Sequence, residues 1–157
     1  YIVKRLFPSF NDKKITEFLD NKFNDRYSRI LKTAIDSLVD LTLHSSSDEK
    51  AIDCIRIVDH LMNELPLASN YNNMIYYQYF NHLIQYPAKY YSYLWSEGCA
   101  RMIWKNLFEN NALNSEAGNL FLENFLRKGA SQSGFELMRS TLNKSVDTDD
   151  IVNNLIN

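Results

Sequence analysis

Three tyrosines near the middle of the chain, Tyr86, Tyr90 and Tyr93, have the type and spacing of side chains that could share one chemical task. On a helix, residues three and four positions apart lie on the same face, so these phenols could point together at a cleft. A phenol hydroxyl there can donate a hydrogen bond to an oxygen that gains negative charge in a transition state. Tyrosines at this spacing are also typical of an amphipathic core, and the residues alone favour that packing interpretation.

The chain carries no complete motif for metal binding or for nucleophilic catalysis. It contains no HExxH, no glycine-rich phosphate loop and no GxSxG. Its histidines, His44, His60 and His82, are far apart, and none has a second histidine or a cysteine at metal-ligand spacing. Cys54 and Cys99 are too few for a disulfide framework, and we expect both to be small buried hydrophobes. We therefore expect no metal site within this sequence.

The composition is that of an ordinary globular protein, and we expect residues 1–157 to form a single domain. Hydrophobic residues make up 45% of the chain and charged residues 23%, as in most folded proteins. The formal net charge of -2 argues against a nucleic-acid or anionic-membrane surface. No apolar run approaches the roughly 20 residues that span a bilayer, so we expect a soluble protein. The start at Tyr1, without an initiator methionine or a presequence, predicts a fragment or a processed product.

The hydrophobic residues follow a helical period nearly throughout the chain, and no segment shows a sustained period of two. The sequence therefore predicts an all-α, bundle-like stack of roughly six to eight helices. In the first half we expect three helices: a short one capped by Asn11, one over residues 25–44, and one that Ser46 and Glu49 cap and that ends before Pro66.

The second half begins with an aromatic, less regular segment over residues 66–81, which predicts a short helix flanked by loops. Four more helices are expected after this segment. The first covers residues 88–110, after a break at Pro87, and the second is capped by Asn114 and runs to Lys128, with Gly129 after it. The third starts at Ser133 or Gly134, and the fourth covers residues 147–156, with Asp149 and Asp150 in its first turn.

Residues 82–94 resemble the thimet-oligopeptidase-like zinc metallopeptidases, and within them the mitochondrial intermediate peptidase branch. That family carries a histidine, a short glycine-containing loop with a tyrosine, and then a Tyr-Tyr-x-Tyr-Leu helix. Here those positions hold His82, Tyr86 and Tyr90-Tyr91-Ser92-Tyr93-Leu94. Similarity to the mitochondrial branch lies in the shorter loop before Tyr86, in the run at residues 88–93, and in Met102-Ile103-Trp104-Lys105.

The resemblance continues downstream and covers about residues 81–157. Asn114-Ser115-Glu116-Ala117-Gly118 is similar to an Asn-x-x-Ala-Gly motif of the family, and Gly129-Ala130-Ser131 stands where the family has a glycine-rich corner. Residues 145–152 resemble its closing helix. Residues 1–70 share only the helical pattern, so that part stays unassigned by motif.

The resemblance implies that this chain supplies one wall of a peptide-binding cleft and not the metal centre. In the family, an HExxH helix and a later glutamate bind zinc upstream of the region that this sequence covers, and the motif glutamate acts as general base. Carried over, Tyr86 and Tyr93 would be catalytic groups near the oxyanion or the substrate backbone. His82 would hydrogen-bond the peptide, and Tyr90 would line the same wall. The implied partners are a peptide or precursor-protein substrate and the missing N-terminal part of the same enzyme.

The function implied by the mitochondrial branch is removal of short N-terminal peptides from imported precursor proteins in the mitochondrial matrix. A cytosolic oligopeptidase acting on free peptides is the close alternative. A helical interaction module without catalysis, with aromatic residues 71–93 as its docking surface, is an alternative of another class. The upstream sequence discriminates, because an intact HExxH and a later zinc-ligand glutamate support the enzyme.

Two residues depart from the family pattern. Where the loop of the family has glycine on either side of its tyrosine, this chain has Gln85 and Pro87. Proline fixes its own φ and disfavours the helical conformation in the residue before it, so we expect Tyr86 to be extended. The loop is then either rigid in a working pose or part of a divergent member with weakened activity.

Overall fold

The structure of the protein is a computed structural model that describes residues 9, 11–45, 56, 59, 60, 63 and 80–156. Every regular element among these residues is a helix, which confirms the all-α prediction. The chain divides into two compact units, residues 1–91 and residues 92–157. That residues 1–157 form a single domain stays a prediction. No helix within the described residues is long and apolar enough to cross a bilayer.

The first unit is built on one long helix, α1 (Asp12–Ser45, 34 residues). Asn11 caps it as predicted, because its side-chain oxygen accepts a hydrogen bond of 2.9 Å from the backbone N–H of Lys14. The predicted boundary near Asp25 is wrong, since the helix runs through it without interruption. No glycine or proline occurs between its ends, so no residue there breaks the backbone hydrogen bonds.

The third predicted helix lies largely outside the described residues. Arg56, Asp59, His60 and Asn63 are described there, and all four are helical. The expected capping box at Ser46, Cys54, and the aromatic segment up to residue 79 lie outside the described residues. The first unit continues with a four-residue helix, α2 (His82–Gln85), followed by turns through Tyr91.

The second unit is arranged around α3 (Ser92–Ile103), which continues as a π-helical segment, Trp104–Phe108. The prediction placed the start of this helix at Ala88, four residues too early. Ala88 has a φ of 56°, in the left-handed region, so it cannot belong to a right-handed helix. The predicted burial is correct on one face, where Gly98, Cys99, Met102 and Ile103 are buried.

Three further α-helices belong to this unit: α4 (Ser115–Phe121), α5 (Gly134–Leu142) and α6 (Thr148–Ile156). A π-helical segment, Leu122–Leu126, extends α4, and a 3₁₀ turn, Gly129–Ser131, precedes α5. The helix predicted to end at Lys128 therefore changes form after Phe121. The core of the unit comes from several of its elements and contains Cys99, Met102, Ile103, Met138, Val146 and Ile151.

Side chains at the helix starts fix these boundaries as the sequence predicts. The Asn114 side chain accepts hydrogen bonds from the backbone N–H groups of Glu116 and Ala117. Ser133 and Glu136 form a capping box, in which each side chain accepts from the backbone N–H of the other residue. Backbone N–H groups that have no partner within the first turn of a helix are thereby hydrogen-bonded at both places.

The capping box makes stability depend on pH in a defined direction. Hydrogen bonds from the Ser133 backbone N–H and hydroxyl hold the pKa of Glu136 below its ordinary value. A lowered folded pKa stabilises the protein above the unfolded value of about 4.3, and the effect is lost as the pH falls through the folded pKa. Glu136→Gln keeps an acceptor but does not titrate. Urea unfolding between about pH 5 and pH 3 should therefore show a smaller acid-induced loss in this variant; equal losses would contradict this role.

Candidate functional site

His82 brings two of the predicted tyrosines together in the first unit. The centroid of its ring lies 5.2 Å from that of Tyr86 and 5.0 Å from that of Tyr90. Phe80 completes the group, with its ring 5.9 Å from His82 and 4.9 Å from Tyr90. We call Phe80, His82, Tyr86 and Tyr90 the aromatic cluster. Such ring separations are those of favourable aromatic pairs, so the contacts within the cluster stabilise the arrangement of its rings.

The backbone around Tyr86 differs from the extended conformation that Pro87 led us to expect. Tyr86 has a φ of -138° and a ψ of 61°, so the residue avoids the helical region but is not extended. The reason is local: Tyr86 is the C-cap residue directly after α2, and its N–H donates a hydrogen bond of 2.9 Å to the carbonyl of His82. This bond holds Tyr86 one turn after His82, so that the two rings lie side by side.

Tyr86, Tyr90 and Tyr93 do not lie on one helical face, which is the arrangement that their spacing would allow. Tyr86 is the C-cap that directly follows α2, Tyr90 lies in the turn after it, and Tyr93 lies in the first turn of α3. Tyr86 and Tyr90 nevertheless meet, because both contact His82. Tyr86 and Tyr93 are each 53% exposed, so both present a large part of their surface to solvent.

Asp40 of α1 holds the turn between α2 and α3 in place. One of its carboxylate oxygens accepts a hydrogen bond of 3.0 Å from the backbone N–H of Ala88, and the other accepts one of 2.9 Å from that of Tyr90. The Asp40 side chain is buried, and Nδ1 of His44 lies 3.0 Å from its Oδ1 atom. The two backbone hydrogen bonds join α1 to the loop that carries the aromatic cluster.

Sequence reasoning missed Asp40, because the local pattern does not show that this residue is buried. The residue sits beside Val39 in an otherwise apolar turn of α1, one turn after the equally buried Asp36. A carboxylate is rarely buried unless it is paired or hydrogen-bonded. A buried aspartate is therefore expected to have a hydrogen-bond partner, but the sequence shows neither the burial of Asp40 nor the groups that it binds.

The described part of the chain contains no grouping of metal ligands. No set of three or more histidine, cysteine, aspartate or glutamate side chains there could hold a metal ion. His44 contacts Asp40, and His82 contacts tyrosines, neither of which makes a ligand set. The described residues therefore do not fit a zinc site of their own, and the chemistry of the aromatic cluster is hydrogen bonding and packing.

The second unit contains an apolar pocket of about 400 Å³ next to α3. Its walls are mainly aromatic and aliphatic, and they include Trp95, Trp104, Phe121, Phe125 and Met138. The Cys99 thiol borders it, and burial raises the pKa of this group to about 11. The thiol is thus protonated at neutral pH and is a poor nucleophile. The pocket offers shape and apolar surface, but no reactive thiolate.

Comparison with known proteins places the chain in one family. The sequence model of peptidase family M3 matches residues 8–155. No solved structure was found to match the chain.

The relatives found by sequence carry one name. The chain is 29% identical over 110 residues to the mitochondrial intermediate peptidase of Arabidopsis thaliana, a match that covers 70% of this chain and 16% of the relative. It is 38% identical over 77 residues to that of Mus musculus, covering 49% of this chain and 11% of the relative. For Schizophyllum commune the identity is 29% over 119 residues, with coverages of 75% and 15%. The matched segments thus span less than a fifth of the length of each of these relatives.

Proposed function

The chain belongs to peptidase family M3, and from this premise we propose that it forms part of the substrate-binding cleft of a zinc metalloendopeptidase. The observation that carries the proposal is the aromatic cluster, in which His82 lies against both Tyr86 and Tyr90. Hydrogen-bonding side chains with fixed rings and an exposed phenol suit a surface along which a peptide backbone is bound.

The proposed roles follow from what each side chain can donate or accept. Tyr86 and Tyr93 have hydroxyl groups on largely exposed side chains, and these can donate to the substrate carbonyl oxygen as it gains negative charge. His82 can hydrogen-bond the peptide near the scissile bond through a ring nitrogen. Tyr90 packs against His82 and lines the same wall.

The zinc of the proposed enzyme is assigned to residues outside this chain. The described residues offer no ligand set, and the matched segments cover only 11% to 16% of the length of the three relatives. When bound, zinc supplies Lewis-acid polarisation of the peptide carbonyl. The part of the reaction proposed for this chain is to bind and orient the peptide and to donate hydrogen bonds to it.

The proposed substrates are short N-terminal extensions of precursor proteins imported into mitochondria, with cleavage in the matrix. Support comes from the relatives, which are named mitochondrial intermediate peptidases. Cleavage of free peptides in the cytosol is the alternative location for the same chemistry.

The full-length protein tests the proposal with three samples: enzyme as purified, enzyme treated with a zinc chelator, and chelated enzyme resupplied with zinc. We expect cleavage of a precursor-derived peptide in the first and third samples only, and one bound zinc per protein by elemental analysis. The 157-residue chain alone should bind no zinc and cleave nothing. Cleavage that survives chelation would exclude the zinc enzyme, and a folded full-length protein that neither binds zinc nor cleaves would favour the non-catalytic interaction module.

A further inference from the structure

We propose that Asp40 is a positioning residue for the peptide-binding wall: its buried carboxylate, by holding the N–H groups of Ala88 and Tyr90, sets where the aromatic cluster lies. This inference rests on the proposed function for its effect on catalysis. The structural part of the inference, that Asp40 holds the loop containing Ala88 and Tyr90, does not depend on any activity.

The geometry around Asp40 is that of a carboxylate whose hydrogen bonds are directed at one loop. Its Oδ1 and Oδ2 atoms each accept from a different N–H, at 3.0 Å from Ala88 and 2.9 Å from Tyr90. The residue is 1% exposed, so water cannot substitute for these donors. Hydrogen bonds to an ionised acceptor are about twice as strong as neutral ones, and both are made across a gap of 48 and 50 residues in the sequence.

The loop needs an external constraint because its own residues do not favour its conformation. Ala88 has a φ of 56°, a left-handed conformation that glycine adopts readily and alanine rarely does. The N–H that Asp40 accepts belongs to this same residue. Release of the carboxylate would allow Ala88 to return to an ordinary conformation, and this would shift Tyr86 on one side and Tyr90 on the other.

The third contact of Asp40 steadies the carboxylate itself. Nδ1 of His44 lies 3.0 Å from Asp40 Oδ1 and 2.8 Å from the Asp40 carbonyl oxygen. His44 is one turn further along α1, so the orientation of the carboxylate is fixed from within its own helix. A long, continuous α1 therefore carries a rigid acceptor to the loop.

Asp36 provides a matched comparison on the same helix. It is also 1% exposed, but its carboxylate forms an ion pair of 2.6 Å with Lys32 of α1. Loss of either carboxylate removes a buried charge from α1. Only Asp40 accepts the N–H groups of Ala88 and Tyr90, so the two variants separate general destabilisation from misplacement of the loop.

The test uses the full-length enzyme with Asp40→Asn, Asp40→Ala and Asp36→Asn. Asn keeps one acceptor oxygen but turns an NH₂ group toward the other N–H, whereas Ala removes both acceptors. In both Asp40 variants, the amides of Ala88 and Tyr90 should exchange with solvent faster than in the wild type. We expect kcat/KM to fall by about 100-fold in Asp40→Ala, as misplacement of a binding group does, and by less in Asp40→Asn.

Asp36→Asn should leave the exchange of the Ala88 and Tyr90 amides, and kcat/KM, close to wild type. Unchanged exchange in Asp40→Asn would overturn the proposal, and so would equal effects in the Asp36 variant. Faster exchange with unchanged kcat/KM would overturn the positioning role while leaving the proposed peptidase intact. If the wild type itself cleaves no peptide, the proposed function fails, and the exchange measurement still decides whether Asp40 holds the loop.

Discussion

Replacement of Tyr93 by phenylalanine in the full-length enzyme is expected to lower kcat by about 10²- to 10³-fold, while thermal stability changes little. The size of the effect is that of losing one hydrogen-bond donor to a developing oxyanion. Stability should hold because the Tyr93 side chain is 53% exposed and lies in the first turn of α3, away from the buried residues of that helix. Steady-state kinetics on a precursor-derived peptide and a thermal melt measure the two quantities.

Tyr91 is the matched control for this substitution. It is 48% exposed and lies two residues before Tyr93, and no role in substrate binding is proposed for it. Tyr91→Phe removes the same hydroxyl group and should leave kcat near the wild-type value. Equal losses of activity in both variants, or a loss of stability in Tyr93→Phe that accounts for its lost activity, would contradict the role proposed for Tyr93.

The features that sequence alone predicted correctly are those that depend on near neighbours in the chain. Asn11, Asn114 and Ser133 cap helices because each reaches an N–H only two or three residues away. The all-α class follows from the hydrophobic period, which repeats within each helix. Cys99 is buried as expected for a small apolar residue on the inner face of α3.

The features that sequence did not predict depend on contacts between distant residues. Residues 88–91 have a pattern that fits a helix, yet they form turns, because Asp40 holds Ala88 and Tyr90 from 48 and 50 positions away. The spacing of the tyrosines would allow a shared helical face, whereas Tyr86 and Tyr90 meet through the ring of His82. A local pattern cannot show which loop a buried carboxylate will bind.

Two glycines in α-helices give opposite expectations for the same substitution, and this pair tests how the second unit is packed. A Cβ atom on Gly98 of α3 would lie 2.5 Å from Ile151 Cγ2 and 2.8 Å from the Ile151 backbone oxygen. Because a backbone oxygen cannot move aside as a flexible side chain can, Gly98→Ala must separate α3 from α6. We expect a loss of about 3 kcal/mol in the free energy of unfolding, at the upper end of the usual cost of overpacking.

Gly118 of α4 has open space where a Cβ atom would lie, with no atom within 4 Å apart from its chain neighbours and the nearby backbone of its own helix, so alanine fits there without displacement. Alanine also favours a helix over glycine by about 1 kcal/mol, so Gly118→Ala should raise the free energy of unfolding. Urea unfolding of the two variants and the wild type measures whether each substitution raises or lowers the free energy of unfolding. If Gly98→Ala proved neutral or stabilising, α3 and α6 could not be in the close contact described, since that contact leaves no room for a methyl group. Helix propensity favours alanine at both glycines, and the two sites differ in the contact with Ile151. Opposite changes in the free energy of unfolding would therefore report on the packing of α3 against α6.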